Sequence, residues 1–122
     1  MNERGPGAAR GGFRPLSDDS SIGALIEESH RRPVVLFKHD PYCGVSAAAQ
    51  EELEELEDEI VLLDVSRQHG LKREVVELTG IRHESPQVIV LRGGAVAWTA
   101  SHFKITAEAV RRALEAAAGR VD

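Results

Sequence analysis

Hydrophobic positions change their period several times along this chain, and each change marks a boundary between elements. Ile22, Leu25 and Ile26 recur at helical spacing behind Asp18, Asp19, Ser20 and Ser21, which supply cap chemistry and early negative charge. His30, Arg31 and Arg32 bring positive charge to the far end, and Pro33 stops the helix. Val34-Val35-Leu36-Phe37 is then continuously apolar, as suits a strand covered on both faces. Beyond Cys43, the residues Val45, Ala49, Leu53, Leu56 and Ile60 follow helical steps and predict a second helix. A second buried strand runs roughly from Ile60 to Val65, and a strand-helix-strand unit of this size implies parallel pairing.

Leu71, Val75 and Leu78 align as a short third helix, with Gly80 suited to its C′ position. Ser85-Pro86 precedes the strand Gln87-Val88-Ile89-Val90-Leu91. Arg92-Gly93-Gly94 then predicts a hairpin turn into Ala95-Val96-Ala97-Trp98-Thr99. Thr106 caps a final helix whose Ala107, Val110, Leu114 and Ala117 form a stripe, and no internal repeat is visible. A parallel unit followed by a hairpin and a closing helix describes an α/β, thioredoxin-like fold, with a central mixed sheet flanked by helices. Pro86 falls where that fold carries a cis-proline.

Composition narrows the function classes. The chain has 122 residues, one domain's worth, and is 42% hydrophobic, enough for one modest core. A net charge of -5 without a basic stripe gives nucleic acid no electrostatic footprint. The apolar runs are strand-length, so no membrane span is expected. Residues 1–15 differ from the rest: Gly5, Gly7, Gly11 and Gly12 alternate with Arg4, Arg10 and Arg14. We read 1–15 as a flexible tail and 16–122 as the thioredoxin-like domain. The tail lacks the apolar stretch of a signal peptide, so a cytoplasmic location is expected.

Cys43 is the single cysteine, which excludes an intramolecular disulfide. It lies between a buried strand and the first turn of a helix, where unpaired N–H groups favour a thiolate. Asp40-Pro41 forces a turn that projects it from the edge. The alternative is a small inert residue buried at a tight junction. Cys43-Gly44-Val45-Ser46 has the C-x-x-S form, with Ser46 expected to donate a hydrogen bond to the sulfur across one turn. Without a second cysteine, Cys43 can form a mixed disulfide but cannot resolve it; an outside thiol must finish the reaction.

Lys38-His39, Cys43-Gly44-Val45-Ser46, His83-Glu84-Ser85-Pro86-Gln87, Trp98-Thr99-Ala100-Ser101-His102 and Ile105-Thr106 together resemble the YtxJ family. That family comprises monothiol, bacilliredoxin-like proteins of thioredoxin fold associated with bacillithiol. The resemblance runs from about Ser21 to the last helix. It implies a cysteine that takes bacillithiol from oxidised protein thiols, and a cis Pro86. C-G-V-S also lies one residue from the C-G-F-S of monothiol glutaredoxins, which share an iron–sulfur cluster between subunits. The Gly-Gly-x-Asp segment that holds glutathione in those proteins is here Thr99-Ala100-Ser101-His102.

The expected catalytic set is Cys43 and Ser46, with His39 as a proton donor or electrostatic aid. Tyr42, Lys38, Arg82, Ser85 and Pro86 are the substrate-binding candidates. Lys38 and Arg82 offer charge to bacillithiol's malate group, although either also reads as a solvated surface charge. His69, His83 and His102 read as turn-capping residues, too scattered for a zinc motif, and no metal site is expected. Glu51 to Glu59 reads as the solvated, C-terminal face of the second helix. The expected activity is thiol-disulfide exchange with low-molecular-weight thiols and S-thiolated proteins. Bacillithiol is its co-substrate, no tightly bound cofactor is required, and the chain is a monomer or a dimer. The remaining alternatives are an iron–sulfur carrier and a non-catalytic thiol stress sensor.

Overall fold

The apolar run that begins at Val34 continues through Lys38 and His39 as a strand, β2 (Val34–His39), buried along its whole length. Strand alternation assigns its side chains to the two faces of the sheet. Val35 and Phe37 join Ala49, Leu53, Val110 and Leu114 in one core, whereas Val34 and Leu36 join Ile22, Leu25, Leu71 and Val75 in the other. A strand must be apolar on both sides when helices cover both faces.

The computed structural model describes residues 12–119. Around β2 stand β1 (Phe13–Pro15), β3 (Ile60–Asp64), β4 (Gln87–Arg92) and β5 (Ala95–Ser101), in the order β1-β3-β2-β4-β5. The pairs β1/β3 and β2/β3 are parallel, and β2/β4 and β4/β5 antiparallel. The helices are α1 (Ile22–Glu28), α2 (Gly44–Leu53), α3 (His69–Thr79) and α4 (Ala107–Ala118), with a 3-10 turn at His102–Lys104. Ser21 caps α1 by accepting the Ala24 N–H, and Thr106 caps α4 by accepting that of Ala109, both at 3.1 Å. Gly93 and Gly94, with φ of 66° and 81°, make the two-residue hairpin, which needs positive φ at both positions.

Four expectations change. Phe13–Pro15 belong to the sheet, not to a flexible tail: they pair with Ile60, Val61 and Leu62. Arg14 Nε reaches Glu59 Oε1 at 2.9 Å, and the Phe13 ring packs 6.3 Å from that of Phe37. The rest of the expected tail, residues 1–11, lies outside the described residues. Helix α2 ends at Leu53, because like charges crowd the C-terminal end, where the helix dipole disfavours them. The acids are therefore not simply a solvated helical face. Glu52 accepts the Ala107 N–H at 2.8 Å, and Glu59 pairs with Arg14. Helix α1 likewise stops at Glu28, before His30, Arg31 and Arg32, with Ser29 as its C-cap. In α3, Leu71 and Val75 are buried but Leu78 is half exposed.

Ser29 ties α1 to the hairpin. Its side chain is fully buried; Oγ donates to the Ile26 carbonyl at 2.5 Å and accepts the Gly94 N–H at 2.9 Å. Its carbonyl accepts the Gly93 N–H at 2.7 Å. Ser29→Ala leaves the Gly94 donor without that partner, so unfolding in urea should show a loss of about 1–3 kcal/mol. An unchanged midpoint would mean water replaces the hydroxyl freely.

Candidate functional site

At the C-terminal end of β2 the chain turns sharply. Asp40 organises the turn: its carboxylate accepts the Tyr42 N–H at 2.9 Å, and its carbonyl accepts the Cys43 N–H at 3.1 Å. Cys43 is thereby placed as the N-cap of α2, with extended backbone (φ -114°, ψ 125°) and a carbonyl that accepts the Ala47 N–H. Its side chain makes no capping hydrogen bond, and the free thiol is half-buried beside the unpaired N–H groups of the first turn.

Ser46 is fully buried and does not serve the sulfur as expected. Its Oγ lies 2.6 Å from His39 Nδ1 and accepts the Asp40 N–H at 3.0 Å. Ser46 shares the inward face of α2 with Ala49 and Leu53, so its hydroxyl meets the end of β2. His39 is buried and stacks on Phe37, with centroids 5.1 Å apart. Burial lowers its proton affinity, against the opposing charges of Asp64 and Asp40. His39 and Ser46 therefore act as a latch between β2 and the cysteine's helix.

Facing this turn is the loop before β4. The antiparallel register pairs Lys38 with Gln87, so Pro86 arrives opposite His39 at the same end of the sheet. The Ser85–Pro86 peptide bond is cis. The Pro86 carbonyl accepts the His102 N–H at 3.0 Å, joining this loop to the end of β5. Ser85 Oγ is a buried oxygen with no hydrogen-bond partner among the described residues.

Lys38 is no surface charge and has no direct path to a substrate. Its side chain is fully buried, and Nζ donates to Gln87 Oε1 at 2.7 Å. Alternation along β2 sends it to the face opposite His39. Burial pushes its ammonium down to about 8, helped by repulsion from Lys72 and opposed by Glu84. Arg82 is exposed and lines a groove of about 380 Å³ with Glu84, Gln87, Ser101, His102 and Lys104. The Ser101 hydroxyl holds the Glu84 carboxyl below its ordinary range, with the charges of His102 and Arg82 in support.

Two exposed aromatics flank the edge. Tyr42 precedes the cysteine and is 86% exposed; Phe103, on the 3-10 turn, is 75% exposed. Phe103 lines a second groove with Val45, Ala48 and His102, and His102 also lines the first. His102 is thus common to the groove beside the cysteine's helix and the groove beside the proline loop. Phe103 was missed in the sequence; its signal is a lone aromatic in the polar stretch Ser101-His102-Phe103-Lys104. Of the other histidines, His69 opens α3, and His83 is largely exposed, with partial desolvation of its ring and the charges of Lys38 and Lys72 lowering its proton affinity. Among the described residues, no group of three or more His, Cys, Asp or Glu is disposed to hold a metal ion. No helix there is long and apolar enough to cross a membrane.

Lys38 gives the fold a pH signature. An unfolded lysine keeps its proton to about 10.5, whereas the folded one releases it near 8. Between those values the unfolded chain binds more protons, so stability should rise with pH through the window. Below it both states are protonated, and the cost of the buried charge is felt in full. The stability of the native chain minus that of Lys38→Met should therefore climb from pH 8 to 10.5, by up to about 3 kcal/mol. Urea titrations of both proteins across this range check the slope, and parallel curves would contradict it.

Comparisons with known proteins agree with this geometry. A structure described as a candidate oxidoreductase with a thioredoxin fold is 25% identical, with a TM-score of 0.75, covering 83% of this chain and 92% of that one. Spinach chloroplast thioredoxin f is 23% identical at a TM-score of 0.66, covering 90% and 96%. A thioredoxin variant from Halobacterium salinarum is 12% identical at 0.68, covering 94% and 98%. These likenesses show the thioredoxin fold. The family model of the monothiol bacilliredoxin BrxC matches residues 14–110, which span every residue of the site just described. The chain belongs to the monothiol bacilliredoxin family.

Proposed function

We propose that this protein is a cytoplasmic thiol-disulfide oxidoreductase that removes bacillithiol from S-thiolated proteins through Cys43. The observation that carries the reading is a solitary thiol at the N-cap of α2, left uncapping and half-buried, at the sheet end where the cis Ser85–Pro86 bond lies. In the first step the Cys43 thiolate attacks the bacillithiol sulfur of a protein mixed disulfide. A sulfur–sulfur bond forms to Cys43, the old one breaks, and the substrate protein leaves as its thiolate. In the second, a free bacillithiol thiolate attacks the Cys43 adduct, restoring Cys43 and releasing bacillithiol disulfide. No second cysteine competes for the adduct.

The surrounding residues divide the binding work. The backbone at Ser85, beside Pro86, aligns the incoming disulfide. Arg82, with Lys104 in the same groove, offers positive charge to the malate carboxylates of the small thiol. Tyr42 and Phe103 offer apolar contact to the protein half. His39 and Ser46 hold the turn that presents Cys43 and transfer no proton to the sulfur in this scheme.

Purified protein should strip bacillithiol from a model mixed disulfide and accumulate the Cys43 adduct until free bacillithiol is added, as seen by intact mass. Cys43→Ser should abolish both. A protein that leaves mixed disulfides intact, while Cys43 reacts only with peroxide, would be a sensor instead. Arg82→Ala should raise KM for the bacillithiol substrate about tenfold, the loss of one charge-assisted hydrogen bond, and leave kcat in place. An unchanged KM would move the carboxylates elsewhere.

A further inference from the structure

The exchange scheme leaves one buried charge unused. Lys38 Nζ sits inside the protein with a neutral carboxamide as its hydrogen-bond partner. A buried ammonium is costly even after relaxation, and an apolar side chain of similar length would pack there without that penalty. The groups nearest it do not explain its presence. Lys72, from α3, repels it, and Glu84 attracts it while already accepting a hydrogen bond from Ser101.

Its partner is more informative. Gln87 is 3% exposed and directly follows the cis-proline. Its Nε2 donates to the Arg82 carbonyl at 3.2 Å and reaches Ser101 Oγ at 3.5 Å. A carboxamide has a donor end and an acceptor end, and both its neighbours are restricted: an ammonium only donates, and a carbonyl only accepts. Lys38 therefore permits one orientation of the amide, with oxygen toward β2 and nitrogen toward the loop. In that orientation Gln87 closes the segment from Arg82 to Pro86 on itself, while the His102 N–H holds the Pro86 carbonyl from the other side.

We propose that Lys38 is a positioning residue which, through the Gln87 carboxamide, holds the Arg82–Pro86 loop in the shape that docks the substrate disulfide. This rests on the reading of the Ser85–Pro86 backbone as the docking edge. The chain of contact runs Lys38, Gln87, Arg82 carbonyl, and it does not pass through Cys43.

The test uses the full-length protein with Lys38→Met, which keeps the stem and removes the donors, and Gln87→Leu, which removes the amide. Three readings separate positioning from other roles. Amide hydrogen exchange at His102, whose N–H the Pro86 carbonyl holds, should quicken about tenfold in both variants, while the amides of β3 keep their protection. KM for the mixed disulfide should rise about fivefold with kcat retained, and the double variant should be no worse than either single one. Alkylation of Cys43 by iodoacetamide, which needs no docking loop, should keep its rate and its pH profile. An alkylation profile that moves with Lys38→Met would assign the charge to the thiol directly and overturn the proposal. So would a His102 amide that exchanges as in the native protein. Should the native protein fail to exchange any mixed disulfide, the functional reading falls, and the amide measurement alone still decides whether Lys38 positions the loop.

Discussion

The antiparallel pairing of β2 with β4 couples the two halves of the site. Its last pair, Lys38 with Gln87, sets where each strand leaves the sheet. On one side the chain runs through His39 and Asp40 to Cys43; on the other it comes from Ser85 and the cis-proline. A slip of one residue would turn every side chain of β2 to the opposite face. Lys38 would then lose Gln87, and His39 would lose Ser46, so both sides of the strand fix the same register. Cores on both faces make such a slip costly, and the site inherits its precision from them.

The first turn of α2 shows what the chemistry takes from stability. Serine or aspartate at an N-cap contributes about 1 kcal/mol through a side-chain bond to the helix. Cys43 makes no such bond, so the helix begins without that support. The turn is held from outside instead, by the Asp40 carboxylate on the Tyr42 N–H and by Ser46 between His39 and the Asp40 N–H. Support moves to neighbours on either side, and the sulfur stays free to react. The same logic governs the opposite wall, where Gln87 spends its whole amide on the loop and the buried Lys38.

Much of this was legible in the sequence because it is local. Hydrophobic periods placed the helices and the four longer strands, Gly93-Gly94 the hairpin, Thr106 the last cap, and Asp40-Pro41 the turn before Cys43. What stayed hidden depends on partners far along the chain. Phe13–Pro15 is three residues long, and only its pairing with Ile60–Leu62 makes it a strand. A lysine after an apolar run reads as a strand end reaching water; nothing near Lys38 announces Gln87, 49 positions away. Ser46 followed the spacing logic toward the sulfur, but the buried face of α2 is set by Ala49 and Leu53, which turn it inward. Phe103 lies in a polar stretch without period, and its place at the site follows from where β5 ends.

The proposed function requires that Cys43 work alone, carrying a small thiol between two partners. Intact-mass analysis of the protein taken from its native cells after oxidative challenge tests it most directly. The account predicts one adduct on Cys43, with the mass of bacillithiol and removable by reductant. A Cys43 that is unmodified, bears only oxygen, or comes with the colour of an iron–sulfur cluster would contradict it.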